Sequence, residues 1–245
     1  MRIGFIGTGT IASAVVRAIA NDGHLITISE RSKTFSSALA SEFSSVSVTD
    51  NQTVLDQSDV VFIALMAETA KDILPGLCFR GGQRVISFMA GVTLEDVAAM
   101  VAPADASAVM LPFPTIASGG SAILALGDRG LVEAIFGERN RVFALKDAKE
   151  LDAYLCAQAI LSPIARMVSD TAHWLGNRIE DGEAGEEFLR ELVASSLGQS
   201  RADDLIAALN TEGGYNQRLR LHLERSGQSL DTLRGLDGLE QGTLS

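Results

Sequence analysis

Along roughly the first 145 residues, short apolar runs alternate with stretches whose apolar positions recur every three or four residues. The runs Arg2–Ile6, Leu25–Ser29, Val46–Val48, Val60–Leu65, Arg84–Phe88, Ala108–Pro112, Ala122–Leu126 and Arg141–Leu145 predict strands. The periodic stretches Ile11–Ala20, Phe35–Phe43, Thr69–Leu74, Leu94–Val101 and Leu131–Phe136 predict helices. Regular alternation of the two predicts a parallel sheet with helical crossovers. VVFIAL is apolar throughout, as expected of a strand covered on both faces. Thr93, with Asp96 three residues on, has the spacing of a capping pair at a helix start.

After about Lys146 no further run reads as a strand. ELDAYLCAQAILSPIARMVSDTAHWL predicts a long helix interrupted at Pro163. GEEFLRELVASSLGQ, ADDLIAALN, NQRLRLHLERS and SLDTLRGLDGLEQG predict further helices. The expected organisation is an α/β domain over residues 1–147 and an all-helical domain over 148–245. No repeat, low-complexity tract or polar linker separates them.

Composition narrows the function classes. Apolar residues make up 47% and charged residues 21%, enough for a packed core. A net charge of −11 argues against a nucleic-acid partner, which needs a basic surface. No apolar run approaches the roughly 18 residues of a membrane span. Ala12-Ser13-Ala14 resembles a signal-peptidase site, but Gly4, Gly7, Thr8, Gly9 and Thr10 spoil the apolar region before it, so a cytoplasmic location is expected. Cys78 and Cys156 lie in apolar surroundings without motif spacing and read as reduced core residues. Glu180, Asp181, Glu183, Glu186 and Glu187 cluster without a neighbouring histidine; they read as a solvated helix start, and no metal is expected.

Chemistry enters at GFIGTGTIASA. Gly7 follows the first strand, Gly9 precedes the first helix and Ala12 lies three residues on. Gly7 permits a tight turn, Gly9 presents no side chain to a pyrophosphate, and small Ala12 lets the helix pack close to the sheet. The helix start then offers N–H groups and a positive dipole to the phosphates. This is a dinucleotide fingerprint in a Rossmann-like setting. At the end of the second strand, Glu30 stands where an acid would grip a ribose diol, while Arg31, Ser32 and Lys33 suit a 2′-phosphate. The balance favours NADP(H) over NAD(H).

MRIGFIGTGTIASAVVRAI, SERS, VTDNQTVLDQSDVVFIAL, VISFMAGVTLEDV and a late Gly-Gly pair together resemble the pyrroline-5-carboxylate reductase family, in order and nearly end to end. The resemblance implies a Rossmann domain followed by an all-helical domain that dimerises and completes the substrate site. It implies cofactor contacts by Gly7, Thr8, Gly9, Thr10 and Ile11 at the phosphate turn, and by Ser29, Glu30, Arg31 and Ser32 on the NADP side. It further implies contacts by Asn51 near the adenine ribose, by Ala64, Leu65 and Met66 at a strand end, and by Ala90 and Gly91 near the nicotinamide. The substrate half is rewritten. The family's Lys-Pro becomes Met66-Ala67, its Met-Pro-Asn-Thr-Pro becomes Leu111-Pro112-Phe113-Pro114-Thr115, and Ile160–Ile164 replaces a Ser-Gly-rich start to the helical domain. Its Ser-Pro-Gly-Gly-x-Thr becomes Thr211-Glu212-Gly213-Gly214-Tyr215-Asn216.

A cyclic imino acid needs N–H donors for its carboxylate, a partner for its imine nitrogen, and its imine carbon facing the nicotinamide. Gly213 and Gly214 are the expected anion-binding turn. Asn216 is expected to donate to the ring nitrogen, Thr211 to add a hydroxyl contact, and Tyr215 to be the nearest acid. His24, His173 and His222 read as surface or packed residues. Three functions follow: reduction of pyrroline-5-carboxylate to proline, reduction of another imine or carbonyl at a pocket made aromatic by Phe113 and Tyr215, or nucleotide binding without catalysis.

Overall fold

The structure is a computed structural model, and it describes residues 1–30 and 32–244. Arg31, singled out for the 2′-phosphate, lies outside the described residues. Two compact units, Met1–Leu151 and Asp152–Ser245, divide the chain.

The first unit is built on an eight-stranded sheet. Its strands are β1 (Arg2–Ile6), β2 (Leu25–Ser29), β3 (Val46–Thr49), β4 (Val60–Ile63), β5 (Arg84–Ser87), β6 (Asp105–Pro112), β7 (Ala122–Gly127) and β8 (Arg141–Leu145), in the spatial order β3-β2-β1-β4-β5-β6-β7-β8. The helices α1 (Thr10–Ile19), α2 (Lys33–Glu42), α3 (Asn51–Gln57), α4 (Ala67–Ile73), α5 (Leu94–Val101) and α6 (Arg129–Phe136) connect them. The strands from β1 to β6 pair in parallel, as the alternation requires. β7 departs from that expectation and runs antiparallel to β6. The link Phe113–Ser121 between them holds a single turn of 3-10 helix at Pro114–Ser118, too short for the crossover a parallel pair demands. β8 then follows β7 in parallel through α6.

α3 has no counterpart among the predicted helices. It spans Asn51–Gln57, and Asp50 caps it by accepting the Thr53 N–H at 3.0 Å. The Thr93–Asp96 pair caps α5 as its spacing predicts: the Thr93 hydroxyl accepts the Asp96 N–H and donates to its carboxylate. β4 is buried along its whole length, in line with its unbroken apolar run. Phe5 and Phe62 stack on neighbouring strands at 4.7 Å, and Phe136 of α6 meets Phe62 edge-on at 6.0 Å. Both cysteines are free, but neither is a core residue. Cys78 is exposed because its neighbour Phe79 takes the buried position, while Cys156 is half-buried.

α7 (Ala148–Ala157) leads into the second unit. That unit contains α8 (Leu161–Gly176), α9 (Gly182–Gln199), α10 (Ala202–Ala208), α11 (Tyr215–Arg225) and α12 (Gln228–Glu240). The predicted interruption falls at a 3-10 turn over Gln158–Ile160, which puts Pro163 in the first turn of α8, where its missing N–H costs nothing. From Asp152 to Leu244, the one buried residue is Gly185. Asp181, from the acidic cluster, caps α9 by accepting the Ala184 N–H at 3.0 Å. Among the described residues, no group of histidine, cysteine and acidic side chains could hold a metal ion, and no helix is long and apolar enough to cross a membrane.

Candidate functional site

A parallel sheet places all its strand ends on one edge, and a crevice opens where the strand order reverses. Here that point lies between β1 and β4, whose following helices depart to opposite sides. The turn Gly7-Thr8-Gly9 leaves β1 at this point and Ala64-Leu65-Met66 leaves β4.

Gly7 has φ +95°, and a Cβ there would lie 2.5 Å from the Ala64 carbonyl oxygen. Only glycine fits, for both reasons at once. Gly9 is different: its φ is −105°, and a Cβ would meet nothing within 4 Å. The open space in front of Gly9 leaves its backbone accessible to a ligand. Gly9 also stands at the N-cap of α1, with no side chain to cap it. The N–H groups of Thr10, Ile11 and Ala12 have no partner among the described residues, the first intrahelical bond being Ser13 to Gly9. Ala12 is buried against the sheet, as the fingerprint requires. The cradle therefore fits a nucleotide pyrophosphate: unfilled space, unspent donors and the positive end of a ten-residue helix.

The other expected cofactor residues line the same edge. Ser29 ends β2 and is fully buried, so its side chain faces the glycine turn rather than the crevice. The Gly7 N–H donates to Ser29 Oγ at 2.9 Å, and the Thr8 hydroxyl donates to the Ser29 carbonyl at 2.9 Å. Glu30 is exposed, its own N–H donating to the Thr49 carbonyl. Ser32 is the N-cap of α2, and its hydroxyl makes no capping hydrogen bond. Asn51 is the half-buried first residue of α3, after β3. The neighbouring Asp50 carboxyl is held below its ordinary pKa by hydrogen bonds from the Thr53 hydroxyl and N–H. Leu65 is buried, Ala64 is half-buried, and Met66 at the N-cap of α4 is 78% exposed. Ala90 and Gly91, after β5, are exposed, with Gly91 at φ +75°. His24, by contrast, precedes β2 at the opposite edge, where its Nδ1 lies 3.3 Å from the chain's amino group. Its pKa is lowered by burial and by that amino group.

Thr211, Gly213, Gly214, Tyr215 and Asn216 lie together at the start of α11 in the second unit. Gly213 has φ +71°, and a Cβ on Gly214 would sit 3.0 Å from the Thr211 carbonyl. The pair is thus required by the turn itself. Its N–H groups are spent there, Gly213 donating to Gln217 Oε1 at 2.9 Å and Gly214 to the Thr211 carbonyl at 3.0 Å. The donors without a partner among the described residues are those of Tyr215, Asn216 and Gln217, one step further along than the glycines. Thr211, Tyr215 and Asn216 are all exposed.

Sequence reasoning missed the brace behind this turn. Gln217 Nε2 donates to Asn210 Oδ1 at 3.2 Å, and Arg220 donates to the same oxygen at 2.7 Å while pairing with Glu224 at 2.6 Å. The signal was present in the spacing: a glutamine three residues after the N-cap Gly214 holds the position from which a capping-box side chain reaches back, although here it meets the N–H of Gly213, one residue before the N-cap. His173 and His222 are exposed on α8 and α11.

Residues 2–91 match a family described as NADP oxidoreductase, coenzyme F420-dependent. The fold of the whole chain is similar to that of 1-pyrroline-5-carboxylate reductase from Streptococcus pyogenes, with TM-score 0.83 and 22% identity over 99% of this chain and 98% of that one. It is also similar to the pyrroline carboxylate reductase of Plasmodium falciparum with NADP bound (TM-score 0.79, 14% identity, 99% and 97% coverage). An imine reductase from Pseudomonas matches at TM-score 0.60 and 18% identity, over 99% of this chain and 91% of that one. The chain thus carries the fold of the family its sequence resembles, and its first unit is a nicotinamide-nucleotide-binding fold.

Proposed function

We propose that the protein is an NAD(P)H-dependent reductase that delivers hydride to the C=N bond of a small cyclic imine, with pyrroline-5-carboxylate, reduced to proline, as its substrate. The observation that carries this reading is the cradle at Gly7–Ala12, with open space before Gly9 and three unspent N–H groups behind it. A bound nicotinamide nucleotide supplies the hydride. The protein supplies placement. Thr10, Ile11 and Ala12 hold the pyrophosphate through their N–H groups. Glu30, Ser32 and Lys33 meet the adenine-side ribose, where Ser32 and Lys33 favour a 2′-phosphate and hence NADP(H). Ala90 and Gly91 leave room for the nicotinamide ring, since neither carries a bulky side chain.

The substrate carboxylate is held by the N–H groups of Tyr215, Asn216 and Gln217, shaped by the Thr211–Gly214 turn. The Asn216 amide donates to the ring nitrogen and fixes which face of the imine is presented. Hydride adds to the imine carbon and a proton to the nitrogen. Asn216 is no proton source, so the proton arrives with an iminium already charged in solution or from the Tyr215 hydroxyl, whose ordinary pKa is about 10.

The second unit is read as a homodimer interface. A helical unit whose only buried described residue is a glycine has no core of its own. Its apolar side chains await another surface: Trp174 and Phe188 are each 58% exposed, Leu219 62% and Leu233 59%. A groove of about 650 Å³ lies within this unit, where Met167, Ile206, Leu209, Leu219, Leu223 and Leu233 share the lining with polar side chains that include Asn216, Arg220 and Glu224.

Exposed Met66 supports a second reading, an imine other than pyrroline-5-carboxylate, because it offers an apolar side chain at the crevice mouth. Binding of NADPH and NADH followed by fluorescence, then nucleotide oxidation with pyrroline-5-carboxylate and with an uncharged cyclic imine, tests both. Failure to bind either nucleotide would sink the reading. Binding with turnover of the uncharged imine alone would replace the substrate, and binding without any turnover would leave a nucleotide-binding protein that does no chemistry.

A further inference from the structure

We propose that Thr8 and Ser29 are positioning residues which lock the glycine turn into the shape that receives a pyrophosphate, and that neither hydroxyl touches the nucleotide. The inference rests on the nucleotide reading of the Gly7–Ala12 cradle and goes beyond it by assigning how that cradle keeps its shape.

A turn with glycine on both sides of one residue is the most pliable kind of backbone, and fixing it costs conformational entropy. Thr8 is that one residue. Its hydroxyl donates to the Ser29 carbonyl, while the Gly7 N–H donates to the Ser29 hydroxyl, both at 2.9 Å. Both bonds run from the glycine turn to Ser29, one from backbone to side chain and the other from side chain to backbone, and together form a two-point clamp. Both side chains are shut away, with Thr8 3% exposed and Ser29 not at all. The Thr8 hydroxyl, with its proton already committed to a carbonyl, has nothing to offer a phosphate, and the Ser29 hydroxyl is fully buried and accepts the Gly7 N–H. The Gly7 N–H is buried as well, and a buried donor without a partner is costly, so Ser29 satisfies a group that the tight turn would otherwise strand.

Ser29 is the last residue of β2, directly before Glu30 and the ribose-side loop. The clamp therefore fixes the phosphate turn relative to the adjacent strand from which that loop departs. Binding then begins from a turn already in shape, and the ordering cost is met during folding rather than on association.

The test uses the full chain and three variants: Thr8→Val, which keeps the shape and removes the donor, Thr8→Ser, which keeps the donor, and Ser29→Ala. NADPH affinity is read by fluorescence titration and folding by the thermal midpoint. Thr8→Val is expected to bind NADPH about five- to tenfold more weakly, and Thr8→Ser to return within about twofold of the unaltered chain. Ser29→Ala is expected to weaken binding in the same direction, and should it fail to fold, the two Thr8 variants decide the matter. Unchanged affinity in Thr8→Val overturns the proposal, as does a fall in its thermal midpoint with affinity intact. A Thr8→Ser variant as weak as Thr8→Val also overturns it. If the unaltered chain binds neither NADPH nor NADH, the nucleotide reading itself fails, which is a different result from a clamp that does not matter.

Discussion

Replacing Gly9 with aspartate should raise stability and destroy nucleotide binding together. Gly9 caps α1 without any side-chain hydrogen bond, its φ of −105° suits any residue, and its Cβ would enter open space. Aspartate is among the best N-cap residues, and a carboxylate at the positive end of a helix is favourable. The cap and the dipole together are worth roughly 0.5–1 kcal/mol over glycine. For a unit of this size that corresponds to a rise of roughly 1–4 °C in the thermal midpoint. The same carboxylate takes up N–H groups that the phosphates need and places a negative charge beside them. One unit of repulsion at about 4 Å and an effective dielectric constant near 20 amounts to about 4 kcal/mol. NADPH affinity should therefore fall by at least about a hundredfold. Thermal denaturation and fluorescence titration on the same preparation read both effects. NADPH affinity within about threefold of the unaltered chain, a shift too small for any lost charge contact, would remove the pyrophosphate from this turn. A midpoint lowered by several degrees would contradict the open space at Gly9.

Gly7→Ala should do the opposite to folding. A positive φ and a contact of 2.5 Å with the Ala64 carbonyl predict a loss of roughly 2–4 kcal/mol, measurable by chemical denaturation. Aspartates should give the pH dependence of stability its acid limb. Asp50, Asp59 and Asp128 have folded pKa values below the ordinary 3.8, from the Thr53 hydrogen bonds, the Arg2 hydrogen bond and the Leu131 N–H respectively. Their contribution is complete above 3.8 and disappears as pH falls through the folded values, so Asp128→Asn should flatten that limb in denaturation curves taken across it. His24 adds a separate slope: its folded pKa is lowered from 6.5, so the folded state binds fewer protons and stability should fall on acidification from 6.5 down to the folded value, a slope that His24→Gln removes. Leu219→Asp together with Leu233→Asp should convert a dimer to monomer in light scattering, because burying each leucine is worth about 1.5–3 kcal/mol and each aspartate opposes burial. Asn216→Ala should lower kcat with the imine while leaving NADPH affinity within about twofold, as expected for a group that meets substrate rather than cofactor.

Local chemistry determined much of this protein. Three of the eight strands, β1, β2 and β8, fall at the bounds the sequence predicts, because each is an apolar run closed by residues unsuited to a strand. The glycine turn was equally legible from its local Gly-x-Gly spacing between a strand and a helix, although the approach of the Ala64 carbonyl to Gly7 and the open space at Gly9 are set by the fold. What escaped the sequence depends on contacts between distant segments. The reversal of β7 follows from how far the Phe113–Ser121 link can reach, and α3 from a cap that a short polar stretch hides. Cys78 looked like core by its neighbours, yet only the fold decides which of two adjacent residues faces inward, and Phe79 took that place. Gly213 and Gly214 were legible as a turn, but their N–H groups are spent on partners that appear only once the chain closes, moving the open donors to Tyr215–Gln217. Thr8 and Ser29 are 21 positions apart, and only the pairing of β1 with β2 turns two ordinary hydroxyl residues into a clamp. Sequence sets what each residue can do, through its size, charge and backbone freedom. Tertiary structure decides which groups remain free to do it, because every buried donor and acceptor must first be satisfied within the fold.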